Sequence, residues 1–449
     1  MRGLKILSSQ VIAAWFRRPR RGLPTVKTTP PVPLAEHRSD APISSTRQRH
    51  TLRACLPNVS SPLPSERRIF TDPETGARVT QWTSSPALDR PLYFTSPSVT
   101  RDDRWLVFLS ERDGGSPNFF AIERASGLIH RLTNNTQGSL ASYCYPSENR
   151  SGIGKSSPCL DPDRNILYYI KGYEFWRVSL DGDRVPQKLA TLPAGWWTAF
   201  THVSADGRWL CVPCTHPDAF LPGQSTQWEQ LDTVYPLLKD KGLVSRIYLI
   251  ETATGRSRIL AELPFWVTHV NFAPDDSDKL LVNSEGPQSS RHGSPPRIWC
   301  VESDGSHHPL FEQNGMRVNH ENFARDQPWI IYHGGYEKNG EARRRNFVAA
   351  RDWTGSPIFE YALEDLPLMH ATPMNNPRWS VVDTPEHIAM ICPDAQNRSA
   401  LIPLCRHHSR EGFGANQDHH CHPLQTLAGG GVVFASNREG EANVYEVHL

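Results

Sequence analysis

Nineteen histidines stand in this chain of 449 residues, and the densest group of them is Gln417-Asp418-His419-His420-Cys421-His422. His420 and His422 are two residues apart, so on a β-strand both rings leave the same face. Gln417, on the loop entering that strand, can offer a carbonyl oxygen. His320 adds a third imidazole if the fold brings it alongside. Three imidazole nitrogens and one amide oxygen suit a borderline divalent ion such as manganese, zinc, nickel or iron. The set lacks the carboxylate-rich shell that calcium prefers.

What must position these residues is a repeat. Seven times a turn rich in Asp, Asn or Gly leads into an aromatic and aliphatic strand. The first is Thr100-Arg101-Asp102-Asp103 before Trp105-Leu106-Val107-Phe108, and the others turn near 161–163, 204–207, 274–276, 324–327, 375–376 and 427–430. Between units come phrases such as Ile122-Glu123-Arg124-Ala125-Ser126-Gly127 and Val301-Glu302-Ser303-Asp304-Gly305, which read as the hairpin between third and fourth strands. Units of this size predict an all-β fold, a seven-bladed β-propeller. The same hairpin signature at 68–83 precedes the first unit and has no blade of its own. The chain ends on a third strand at Val444-Tyr445-Glu446-Val447. The N-terminal segment is therefore expected to complete the last blade as its outer strand and to remove an open edge. His202, His269, His320, His370 and His422 lie about four to seven residues before the turns of units three to seven. In a propeller that phase is the start of the innermost strand, so the five rings are expected to converge on one funnel.

Lys plus Arg number 48 and Asp plus Glu 47, a balance that leaves no global basic field for nucleic acid. No charge-free apolar stretch is long enough for a membrane span. Residues 1–64 read as a disordered or targeting tail, Arg- and Pro-rich with no acid before Glu36, and residues 65–449 as the propeller domain. Nine scattered cysteines read as mostly buried thiols of a reducing compartment. A cytoplasmic location is expected, or an organellar one if the tail is a transit peptide.

His320-Glu321-Asn322-Phe323 and Gln417-x-x-His420-x-His422-Pro423 resemble the metal-binding motifs of oligogalacturonate lyases. The resemblance extends over about 66–449, including Phe70-Thr71-Asp72-Pro73-Glu74-Thr75-Gly76 and the run from His269 through Glu285-Gly286-Pro287 to Arg297-Ile298-Trp299. It implies a seven-bladed propeller that cleaves short, often unsaturated, galacturonate oligomers by β-elimination. It further implies a divalent metal, manganese first, on His320, Gln417, His420 and His422, with His269 as catalytic base and Arg246 assisting it. Arg297 is expected to meet the substrate carboxylate, with His202 and His370 also facing the substrate. Ser284, and turns such as Ala324-Arg325-Asp326-Gln327, depart from the family pattern. Such chemistry needs those groups, because a C5 hydrogen beside an ionised carboxylate is weakly acidic. A metal can neutralise the carboxylate, and a neutral histidine can take the proton. The competing expectation is a non-catalytic propeller serving as a platform for protein partners. No G-x-S-x-G elbow supports a hydrolase.

Overall fold

The computed structural model describes residues 61–286, 295–313, 315–336, 345–364, 366–396, 398–409 and 417–449. Of the expected tail, residues 1–60 lie outside the described residues. The repeated turns fold locally. Asp102 Oδ1 accepts the Thr100 hydroxyl at 2.6 Å and the Arg104 N–H at 3.1 Å, and Asp206 Oδ1 does the same for Ser204 at 2.6 Å and Arg208 at 3.0 Å. A short acidic side chain closes each turn on its own backbone, which is why Asp recurs there.

Around these turns the chain forms seven antiparallel sheets. Blade 1 takes Asp89–Pro91, Trp105–Ser110, Asn118–Glu123 and Ile129–Arg131, and blade 2 takes Cys159–Asp161, Ile166–Lys171, Glu174–Ser179 and Gln187–Thr191. The inner edge of blade 3 is split into Trp197–Thr198 and His202–Val203, followed by Trp209–Thr215, Ser245–Glu251 and Ser257–Leu263. Blade 4 runs from Val270–Phe272 to His307–Pro309, blade 5 from Met316–Phe323 to Pro357–Glu364, and blade 6 from Ala371–Pro373 to Ser399–Arg406. Apolar residues alternate along the strands and fill the spaces between neighbouring blades. Trp105, Val107, Leu167 and Tyr169 meet between blades 1 and 2, and Val381, Met390, Val432 and Phe434 between blades 6 and 7. The eight described cysteines are buried and free. No helix among the described residues is long and apolar enough to cross a membrane.

Blade 3 carries one departure from the repeat, a helix at Gln227–Lys241 (α1) between its second and third strands. Thr226 and Glu229 form a reciprocal capping box at its start, and Gly242, in the left-handed region at φ 62°, ends it.

Blade 7 closes the ring as expected and adds one strand. Leu424–Gln425, Gly431–Ser436 and Asn443–His448 are followed outward by Arg78–Gln81 and then Arg68–Thr71. Val79 stands opposite Val447. Buried Glu446 ties the seam by accepting from Trp82 Nε1 at 2.9 Å and from Arg124 Nη1 of blade 1 at 2.8 Å. Leu63 exchanges two backbone hydrogen bonds with Ile129, so the same segment also touches the outer strand of blade 1. Val79 is 0 % exposed and Ile69, on the outermost strand, 51 %. Val79→Ala should therefore cost about 2 kcal/mol of stability and Ile69→Ala almost nothing. Urea unfolding of the two variants checks this, and equal losses would mean that the outermost strand secures the seam as much as the inner one.

Candidate active site

Register decides which histidines meet. In blades 3 to 7 an N–H just after the inner strand bonds across the turn to the second strand: Ser204 to Trp209, Ala273 to Lys279, Ala324 to Trp329, Met374 to Trp379 and Thr426 to Gly431. His269, His320, His370 and His422 each stand four residues before that N–H, at one level of the channel. His202 stands only two residues before it, roughly 6–7 Å further along the strand, and Phe200 takes its place at the histidine level. The phase shared by five histidines is thus shared by four. His202 lies beyond Phe94, whose ring touches His269, His320, His370 and His422 at centroid distances of 6.4, 5.3, 5.2 and 6.1 Å.

The inner-strand backbone is strained where the chemistry sits. His320 has φ 53° and His422 φ 44°, left-handed values that cost a side-chain-bearing residue on the order of 1–2 kcal/mol. The strand of blade 5 bulges between Asn319 and Asn322. In blades 4 and 6 a polar residue ending the second strand secures the histidine's own N–H: Asn283 Oδ1 accepts from His269 at 2.7 Å and Asp383 Oδ1 from His370 at 2.6 Å.

One group of rings can hold a metal. Ligand atoms of buried His370, His420 and His422 all lie within 4.8 Å of one another. His370 Nδ1 donates to Asp383 Oδ2 at 2.8 Å, which leaves Nε2 with its lone pair, the carboxylate–histidine arrangement common behind metal ligands. Gln417 places its amide 2.9 Å from His422 Nε2, and turning that amide over would present its oxygen at the same spot. His320 sits 4.6 Å from His370, centroid to centroid, with its Nδ1 2.8 Å from His333 Nε2. Burial, reinforced by neighbouring imidazoles, pushes His320 and His422 well below the ordinary histidine range, and burial takes His333 down to about 3. These rings are neutral at pH 7, the form in which imidazole binds metal. His370, expected to face substrate, thus stands among the ligand candidates, and His320 stands beside them.

His269 occupies a different setting. Its Nδ1 lies 3.0 Å from Glu321 Oε1, and Glu321 Oε2 accepts Arg297 Nε at 2.7 Å. Arg297 Nη2 is also 3.3 Å from Nδ1, but a guanidinium only donates, and an ionised carboxylate needs a donor. The proton therefore belongs on Nδ1, and Nε2 carries the lone pair, 3.2 Å from the Tyr93 hydroxyl. Burial alone would raise the Glu321 carboxyl, yet the Arg297 guanidinium and the hydrogen bond from His269 hold it at about 2. Burial also keeps the Tyr93 phenol protonated, so Tyr93 donates to Nε2.

Arg297 is committed elsewhere than expected. It lies buried between Glu321 and Glu285, 3.2 Å from Glu285 Oε2, and Glu285 is in turn held by Thr268 and Asn283. Its role here is to keep Glu321 ionised. Arg246 sits apart, paired with exposed Glu262 at 2.7 Å and stacked over Trp196. Tyr93, Glu321, His333 and Asp383 had not been singled out from sequence. Asp383 had a legible signal, since Val381-Val382-Asp383 and Leu281-Val282-Asn283 place a polar residue at the same point of two repeats.

No family model matches the sequence, and no curated protein does either. Solved structures do match. An oligogalacturonate lyase in complex with manganese superposes with a TM-score of 0.70 at 20% identity, over 87% of this chain and 97% of that one. An oligogalacturonate lyase from Vibrio parahaemolyticus gives 0.67 at 19%, over 86% and 98%. The hydrazine synthase of Kuenenia stuttgartiensis gives 0.50 at 11%, over 78% and 95%. The chain has the seven-bladed fold of these lyases.

Glu321 yields a pH prediction. A carboxylate held below its ordinary 4.5 contributes stability that is complete above about pH 4.5 and is lost as pH falls toward about 2. Glu321→Gln should be less stable than the parent by about 3 kcal/mol at pH 7, with the gap shrinking as pH is lowered through that window. Urea titrations at stepped pH measure it, and a gap constant from neutral to acid would show that Glu321 carries no charge in the fold.

Proposed function

We propose that this chain is an oligogalacturonate lyase, a metal-assisted enzyme that breaks short galacturonate oligomers by β-elimination. The observation that carries the reading is the meeting, at one level of the channel, of a carboxylate-oriented imidazole with a cluster of imidazoles close enough to share one ion. It is supported by a fold shared with oligogalacturonate lyases, one of them in complex with manganese.

The donor set fits a borderline divalent ion: His370, His420 and His422 with the Gln417 amide, and His320 alongside. Bound there, such an ion would neutralise the uronate carboxylate and so acidify the neighbouring C5 hydrogen. The chain's own residues account for the proton. His269 Nε2 takes it from C5, displacing the Tyr93 hydroxyl that occupies the lone pair at rest. The C–H electrons become the C4–C5 double bond as the C4–O4 bond breaks, its electron pair leaving on O4, which takes a proton from water, and His269 returns its own proton to solvent. Glu321 then faces a full imidazolium through the hydrogen bond it already accepts from Nδ1, and Arg297 keeps that carboxylate ionised for the purpose. The side chains of this network are buried, which strengthens these interactions.

Digalacturonate with added manganese tests the reading, following absorbance of the unsaturated uronate product together with reducing-end release. His269→Ala should lower turnover by about 10²- to 10⁴-fold while calorimetry still shows one manganese per chain. His420→Ala should lose both turnover and the metal. A parent protein that binds no metal and turns nothing over would sink the lyase reading and leave a propeller that serves as a platform for partners.

A further inference from the structure

Beyond Phe94 the channel opens again, on the face where the first and second strands of each blade join. The space there holds about 410 Å³, within the range of sites that take a small organic molecule. Its wall carries an arc of polar side chains in register. His202 of blade 3, Asn271 of blade 4 and Asn322 of blade 5 occupy the same inner-strand position, two residues before the cross-turn N–H, and all three line the space. Asn271 is 1 % exposed, and neither its amide nitrogen nor its amide oxygen has a hydrogen-bond partner among the described residues. Leaving a buried amide unmet costs about 1–3 kcal/mol, so something must meet it. Asn322 spends its nitrogen on the Phe94 carbonyl at 3.3 Å. His202 accepts the Phe272 N–H at 3.2 Å, and burial takes its ring down to about 4, so it is neutral at pH 7.

Buried aromatic side chains, Phe94, Phe272 and Phe323, make up part of the same lining. The rim adds Arg101 and Arg325 against Asp161, Asp163 and Asp326, a balance of two positive to three negative. Arg101 is already paired with Asp163, and Arg325 with carbonyls of blade 7. An unmet amide offers a donor and an acceptor side by side, which matches two adjacent hydroxyls. An apolar lining matches the C–H surface of a ring, and a rim whose described cations are already engaged gives no hold to a carboxylate.

We propose that this far mouth of the channel is a second binding site, for a neutral pyranose. Phe94 stands between it and the histidine level, so the site is independent of the lyase reading and survives its failure. Asn271 meets the sugar's hydroxyl pair, and the apolar part of the lining packs on its ring. Nothing bound there touches His269 or the imidazole cluster.

The full-length protein is titrated with methyl galactopyranoside and methyl glucopyranoside, read by saturation-transfer NMR and calorimetry, with free galacturonate as the charged control. Saturable one-to-one binding of a neutral glycoside in the millimolar range is expected, at least tenfold tighter than galacturonate. Asn271→Leu, which replaces an unmet amide by an apolar group of similar size, should abolish it without lowering thermal stability. Ala205→Trp, an exposed position on the cavity rim, should block it from outside the core. Manganese binding should be unchanged in both variants. No saturable binding of either glycoside overturns the proposal and leaves a throat filled by water. Binding that persists in both variants, or galacturonate binding as tightly, overturns it as well.

Discussion

One constraint governs this molecule: around the channel axis each blade can present one inner-strand side chain per level, and the level is set by counting back from the turn. Four residues before the cross-turn hydrogen bond the side chain reaches the histidine level, and two residues before it the far mouth. Strand side chains alternate with period two, so both positions face the axis, but they never mix. That rule delivers His269, His320, His370 and His422 to one place from four separate blades. It delivers His202, Asn271 and Asn322 to another, with Phe94 as the partition.

Holding so many buried polar groups around one channel is costly unless each is met. Around His269 the solution is a chain of alternating charge: Glu285, Arg297, Glu321, then the imidazole. Two buried carboxylates share one guanidinium, so the chain is one negative charge in excess while the imidazole is neutral. A proton gained by His269 removes that excess. Electrostatically, the network is arranged for the imidazolium, the form that exists only after the ring has acted as a base. Around His370 the arrangement is smaller, a single carboxylate that fixes both the ring and its backbone through Asp383.

Much of this was legible in the sequence. Turn and strand signals repeat seven times because each blade is built by the same local physics, and the unpaired hairpin at 68–83 pointed to the closure. The four ring-forming histidines were legible as a phase. His202 was misplaced because two residues along a strand keep the same facing, so facing alone cannot separate the levels. The α1 helix was missed although Thr226, Glu229 and Gly242 mark its ends, since an insertion between strands does not disturb the repeat count. Arg297 pointed to a substrate carboxylate, yet two carboxylates of the chain itself hold it, and one of them, Glu321, comes from the next blade. Partnerships across blades, Tyr93 with His269 above all, depend on which inner strands face each other over the axis, and no spacing encodes that.

The closing strand has a consequence for how the chain reaches its native state. Trp82 and Glu446, joined across the seam, are separated by 364 residues. At about 5–20 residues per second of synthesis, the N-terminal hairpin waits on the order of tens of seconds for the strand it must pair with. Through that interval blades 1 to 6 can dock in order on the growing chain, each on its neighbour, while the hairpin's apolar side, Val79 included, has no native surface to cover it. The ring becomes one cooperative unit only at the last step, when a contact of nearly maximal sequence separation forms. Nascent or truncated chains are therefore the forms of this protein most exposed to misassembly, and the most dependent on being shielded until the ends meet.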